Sequence, residues 1–199
     1  MANRNSAGFG LRPAGTLGNT PSTHGLSQYW IDAGATVNLY HGMAMKSTGG
    51  YMSTGESATT VTTVGVLQGI FYNAATTLKP TWASWYDATI TPANSEDTQA
   101  FVNDYPFQKY TIAADALVAS SIAAAHVLFM ETYSVYANTG GNTTTGNSTT
   151  TLDIGATHAT THSWRLLRSA EDPENQDLTA AYVTLEVVQN LSEFVGTGT

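Results

Sequence analysis

His158 and His162 stand four residues apart, the spacing that places two imidazoles on one helix face as a metal pair. Here Ala156 to Ser163 reads as a loop entering a strand, where that spacing does not converge, and no Cys or third His lies nearby. Ordinary loop histidines are the better reading. Glu171, Asp172, Glu174 and Asp177 offer oxygens of the kind Ca²⁺ takes. They lack the alternating Asp/Asn and glycine of a dedicated loop, and Pro173 stiffens the run, so a solvated acidic loop is preferred to a loose cation site at a symmetric interface. Trp82, Trp85 and Tyr86 have the chemistry of a sugar-stacking platform, but aromatics in β-rich proteins more often fill the core. A spacing of three sends Trp82 and Trp85 to opposite faces of a strand. Gly8 and Gly10 lead into Pro13 rather than a helix, and no nucleophile elbow or P-loop is present. The chain has no cysteine, hence neither disulfide framework nor thiol nucleophile. The expectation is a protein that is not an enzyme, with no catalytic residues, no cofactor and no dedicated metal site.

The elements that must position these residues read as strands. Charged residues are 11% of the 199, well below the roughly 25% usual in soluble domains, and Thr, Ser, Asn and Gly take their place. Strands are expected at 29–39 with a turn at Ala33-Gly34, at 61–72 with Gly65 and Gly69 as bulges or close-approach points, and at 100–102, 107–112, 127–136, 152–154, 162–168 and 181–191. Only 113–125 favours a helix, and a short one. The Thr-rich stretch 137–151 reads as an exposed polar loop. Strands separated by regular turn signals predict an all-β sandwich or barrel. The longest apolar stretch, Ala116 to Met130, is broken by Ser120, Ser121 and His126 and is too short to span a bilayer, so no membrane association is expected.

Charge divides the chain. Residues 1–30 hold Arg4 and Arg12 and no acid, a formal +2, while the remainder carries −10. An acidic body repels polyphosphate, which argues against nucleic acid as a partner. The opening is rich in Gly, Asn, Ser, Thr and Pro and has too few apolar anchors to fold alone. It predicts an extended arm over residues 1–28 on a single β-rich body over 29–199. A basic, extended arm on an acidic body suggests a protein that grips something else.

Phe9-Gly10-Leu11-Arg12-Pro13-Ala14-Gly15 resembles the FG-[LF]-R-P-x-G opening of a family of tailed-bacteriophage head decoration (cement) proteins. Gly69-Ile70-Phe71-Tyr72, Trp85-Tyr86, Asp104-Tyr105-Pro106-Phe107 and Thr144-Thr145-Gly146-Asn147-Ser148 resemble further blocks of that family in the same order. Arg165-Leu166-Leu167-Arg168 through Pro173-Glu174-Asn175 resembles its R-[IL]-L-x-x-x-x-x-P-[DE]-N signature. Tyr105 is an insertion relative to the family's D-P-F segment. The resemblance implies a jelly-roll-like β-sandwich or barrel body and a viral structural protein on the outer surface of the capsid, made in the host cytoplasm. It further implies a capsid-binding arm in which Phe9, Leu11 and Leu17 fill a partner's apolar pockets, Arg12 pairs bidentately with a carboxylate and Pro13 stiffens the chain, so that deletion of residues 1–20 leaves the body folded. Its implied partners are the major capsid protein, whose capsomers it staples, and itself, as a homotrimer at local symmetry axes. The alternative from the residues alone is a virion-surface carbohydrate-binding or adhesin module displaying 137–151 and the Trp82/Trp85 region.

Overall fold

The computed structural model describes residues 2–18, 25–54 and 62–195. The chain is nearly all β, with about 40% of residues in strands and 5% in helix. In chain order the strands are β1 (Arg12–Thr16), β2 (Ser27–Ile31), β3 (Ala44–Thr48), β4 (Tyr51–Thr54), β5 (Gly65–Asn73), β6 (Pro80–Ala83), β7 (Thr98–Asn103) and β8 (Gln108–Ala113). After the one α-helix, α1 (Ile122–Val127), come β9 (Thr132–Tyr133), β10 (Val135–Tyr136), β11 (Thr151–Leu152), β12 (Trp164–Ser169) and β13 (Thr184–Gln189). The first sheet runs β1-β8-β13-β12-β9. The second runs β2-β7-β5-β3-β4, with β6 also on β5, and β10 and β11 form a separate pair. All the ladders within these sheets are antiparallel.

Apolar alternation decides which faces meet. On β8, Tyr110 and Ile112 point inward and Lys109 and Thr111 outward. The inward residues join Leu11, Trp164, Leu166, Leu185 and Val187 in one core, which also takes Ala44 and Val66 from the second sheet. A second core, including Ile31, Met43, Met45, Leu67, Ile70, Tyr86 and Val102, lies within the second sheet, whose β4 curls toward β2. The Gly49-Gly50 turn joins β3 to β4 as a two-residue hairpin loop with both φ values positive, 60° and 90°, which glycine adopts without strain. Of the two glycines expected as bulges or close-approach points, Gly69 stands at a register shift of β5 against β7, between Leu67 and Gly69. Gly65 serves close approach: a Cβ there would lie 2.1 Å from the Asn103 carbonyl oxygen.

Two expectations are corrected. The stretch 127–136 is not one strand. Ser121 Oγ accepts from the Ala124 N–H at 3.2 Å and caps α1, which carries the chain to Val127. Met130 then takes φ 72°, so only the two-residue strands β9 and β10 follow. Nor is 137–151 a merely exposed loop, because Asn138, Ser148 and Thr150 are buried. Asn138 imitates a strand partner: its Nδ2 donates to the Ala44 carbonyl at 2.9 Å and its Oδ1 accepts from the Ala44 N–H at 3.2 Å. Thr150 Oγ1 donates to the same Oδ1 at 3.1 Å. A buried polar cluster satisfied in this way holds the segment between the two cores.

Candidate functional site

Residues 2–18 lie along the body rather than standing off it. The Gly10 N–H donates to the Thr150 carbonyl at 3.1 Å, and the Leu11 N–H to the Gly42 carbonyl at 2.8 Å. A Cβ on Gly8 would lie 2.1 Å from the Thr149 carbonyl oxygen, so only glycine fits this approach. Leu11, expected to fill a partner's pocket, is fully buried in its own chain's core. It cannot serve as a contact residue, and a deletion of 1–20 would remove core and edge strand together.

The other four residues of the expected binding set remain accessible. Arg12 and Pro13 open β1, an edge strand whose pairing with β8 shifts register between Pro13 and Gly15. Proline has no N–H to offer a further strand and is at home on such an edge. Gln108 Nε2 closes the bulge by donating to the Gly15 carbonyl at 2.6 Å. Leu17 is exposed, its N–H bonded to the Phe107 carbonyl at 2.9 Å. Phe9 is half-buried beneath the Arg12 guanidinium, which lies 4.8 Å from its ring centroid.

What the sequence does not reveal is the partner of this segment. Asn3 Nδ2 donates to the carbonyls of Asp177, Ala180 and Ala181 at 3.0, 3.2 and 2.9 Å. Arg4 Nη1 meets both carboxylate oxygens of Glu174 at 2.7 Å, and the Asn5 N–H donates to Asn175 Oδ1 at 2.7 Å. Asn175 is buried and anchored to Asp172 Oδ2 at 2.8 Å. Thus Phe9-Gly10-Leu11-Arg12-Pro13 and Pro173-Glu174-Asn175, far apart in sequence, enclose one cleft of about 710 Å³, lined by Phe9, Arg12, Thr111, Glu174, Asn175 and Thr184 among others.

Beside the cleft the outer face of the first sheet carries a row of charge. The register aligns Arg12, Thr111, Glu186 and Arg168 across β1, β8, β13 and β12. Glu186, 11% exposed, takes Arg168 Nε at 3.0 Å and Nη2 at 3.2 Å, and Lys109 Nζ at 3.4 Å. Burial pushes the Glu186 carboxyl up, but Arg168 and Lys109 outweigh it, and the net shift is down. Arg168 is shared with Glu171 at 3.1 Å. Among the described residues Arg12 has no carboxylate within ion-pair distance, so the row ends in an exposed guanidinium with spare donors.

The remaining candidates take ordinary roles. His162 is buried with Nδ1 3.2 Å from the Thr132 carbonyl oxygen, and His158 lies near the Tyr133 ring. No group of three or more His, Cys, Asp or Glu is placed to hold a metal among the described residues. In the acidic loop the Asp177 carboxyl is held down at about 2, the hydrogen bond from the Thr179 hydroxyl being the largest cause. Trp82 faces outward, whereas Trp85 stacks on Tyr40 at 5.2 Å between centroids. No protein-family model, curated protein or solved structure matches this chain.

Proposed function

We propose that this chain is a phage head decoration protein that binds the outside of the capsid shell and braces neighbouring capsomers. One observation carries the reading. The two most distinctive blocks of the resemblance, one near each end of the chain, border a single exposed cleft with the Arg12 guanidinium at its rim. A carboxylate on the major capsid protein is the complement of that planar donor, with Phe9, Pro13 and Leu17 as the apolar surround.

Self-association into a trimer has a surface available at α1, where Ile122, Val127 and Met130 are 62%, 76% and 57% exposed. Symmetry around a capsomer axis then multiplies a weak contact into avidity. The test is co-sedimentation of purified protein with empty phage heads. Saturable binding at a fixed ratio to the major capsid protein is expected. Its loss in Arg12→Ala, with thermal stability little changed, is the second expectation, and full occupancy by that variant would refute the site.

A further inference from the structure

The outer face of the second sheet carries a feature that attachment through Arg12 leaves unused. Trp30 on β2 stands opposite Gln99 on β7, Gln99 opposite Phe71 on β5, and Phe71 opposite Trp82 on β6. Phe101 lies two residues along β7 from Gln99, on the same face, with Gln28 opposite it. Trp82 packs against Phe71 and Phe101 with centroids 5.0 and 4.8 Å apart. Those rings fix the indole, yet it stays 66% exposed, and Trp30 is 43% exposed. A cleft of about 660 Å³ opens beside the row, lined by Trp30, Tyr51, Phe71, Asn73 and Gln99, with the 94–97 segment as a further part of its wall.

We propose that this face binds a neutral glycan, with pyranose rings stacked on Trp30 and Trp82 and their hydroxyls bonded to Gln99 and Asn73. The chemistry of the lining selects the ligand. Among the described residues no Lys or Arg lines the cleft and Glu96 and Asp97 do, so phosphate, sulfate and uronate ligands are repelled. Asp97 is already engaged, accepting from the Ala33 N–H at 3.0 Å and the Tyr51 hydroxyl at 3.2 Å, which fixes the wall. Amides stand beside the rings, Gln99 between Trp30 and Phe71 and Gln28 opposite Phe101. A pyranose offers the matching chemistry, with C–H groups on its faces for the rings and hydroxyls at its edge for the amides. From Trp30 to Trp82 is three inter-strand steps, about 14 Å, room for more than one sugar ring.

The experiment is affinity electrophoresis of the full chain through gels containing starch, a galactomannan or a mixed-linkage β-glucan, with sedimentation velocity in parallel. Retardation by at least one polysaccharide is expected. Trp82→Ala and Trp30→Ala should each weaken it by about tenfold, the upper end of a single aromatic contact, while Leu117→Ala, an exposed residue outside every surface named above, leaves it unchanged. Trp82→Ala should still co-sediment with heads, which separates this site from the one at Arg12. No retardation by any of the three polysaccharides, undiminished retardation of both tryptophan variants, or an oligomer that Trp82→Ala converts to monomer would each overturn the proposal, the last by assigning the face to a second copy of the chain.

Discussion

Leu11→Ala tests whether the N-terminal segment is part of the folded body. Leu11 is fully buried in the core that holds Tyr110, Trp164 and Leu185, and its N–H is tied to the Gly42 carbonyl at 2.8 Å. Because the backbone on both sides is pinned, by the Gly10 bond to Thr150 and by β1 on β8, the site has little freedom to collapse around a cavity. The cost should therefore fall in the upper half of the range for buried leucine truncation, about 3–5 kcal/mol. For a chain of this length each kcal/mol lowers Tm by roughly 2–4 °C, so a fall on the order of 10 °C is expected. Urea denaturation followed by tryptophan fluorescence, with calorimetry alongside, measures both quantities. The neighbouring Arg12→Ala should change stability by no more than about 1 kcal/mol, since its side chain is exposed, lacks an ion pair among the described residues and loses only the contact with the Phe9 ring. A Leu11→Ala variant within about 1 kcal/mol of wild type would show that the segment does not belong to the core.

Two further predictions concern charge. Glu186→Gln should cost about 1–2 kcal/mol at pH 7, because Lys109 and Arg168 lose a largely buried carboxylate while the half-exposed Arg168 recovers part of the loss in water. The folded Glu186 pKa is lowered, so its contribution is present above the ordinary carboxylate value and disappears as pH falls through the folded one; acid denaturation curves of the two proteins should converge there. Asp153 behaves in the opposite sense. Burial first, and then Asp115, raise its pKa, so its charged form opposes folding at neutral pH. Asp153→Asn should raise Tm at pH 7, and that advantage should shrink as pH falls through the raised pKa and be gone once pH lies below the ordinary carboxylate value. A variant no more stable at pH 7 than at about pH 3 relative to wild type would contradict the assignment.

Alternation made the β class and most strand positions legible, because Tyr110/Ile112 against Lys109/Thr111 is a pattern only a one-sided sheet rewards. The same signal misled over 127–136. Val127, Leu128, Phe129 and Met130 are as apolar as a strand, and what divides them, the Ser121 cap and the left-handed Met130, leaves no periodic trace. At the N-terminus, composition was read as an inability to fold. That holds for the segment in isolation, but hydrogen bonds from Asn3, Arg4 and Asn5 to 174–184 supply from the body what the segment lacks. Thr-rich 137–151 was misjudged for a related reason: polar residues bury readily when Asn138 and Thr150 satisfy one another and the backbone. The cleft at Arg12 was legible only as motifs. Nothing local in either block indicates that they meet.

The long reach of the contacts made by Asn3 and Leu11 sets an order of events during synthesis. Residues 3–5 leave the ribosome long before the groups that receive them, between Glu174 and Thr184. Such non-local closures are slow, since most of the chain must be ordered before they form. Until then Leu11 has no complete core to enter and β1 has no sheet to edge. The Arg12 cleft therefore comes into being as one of the last steps of folding, and an incomplete chain cannot display it. A shell that selects this surface would thereby select finished molecules.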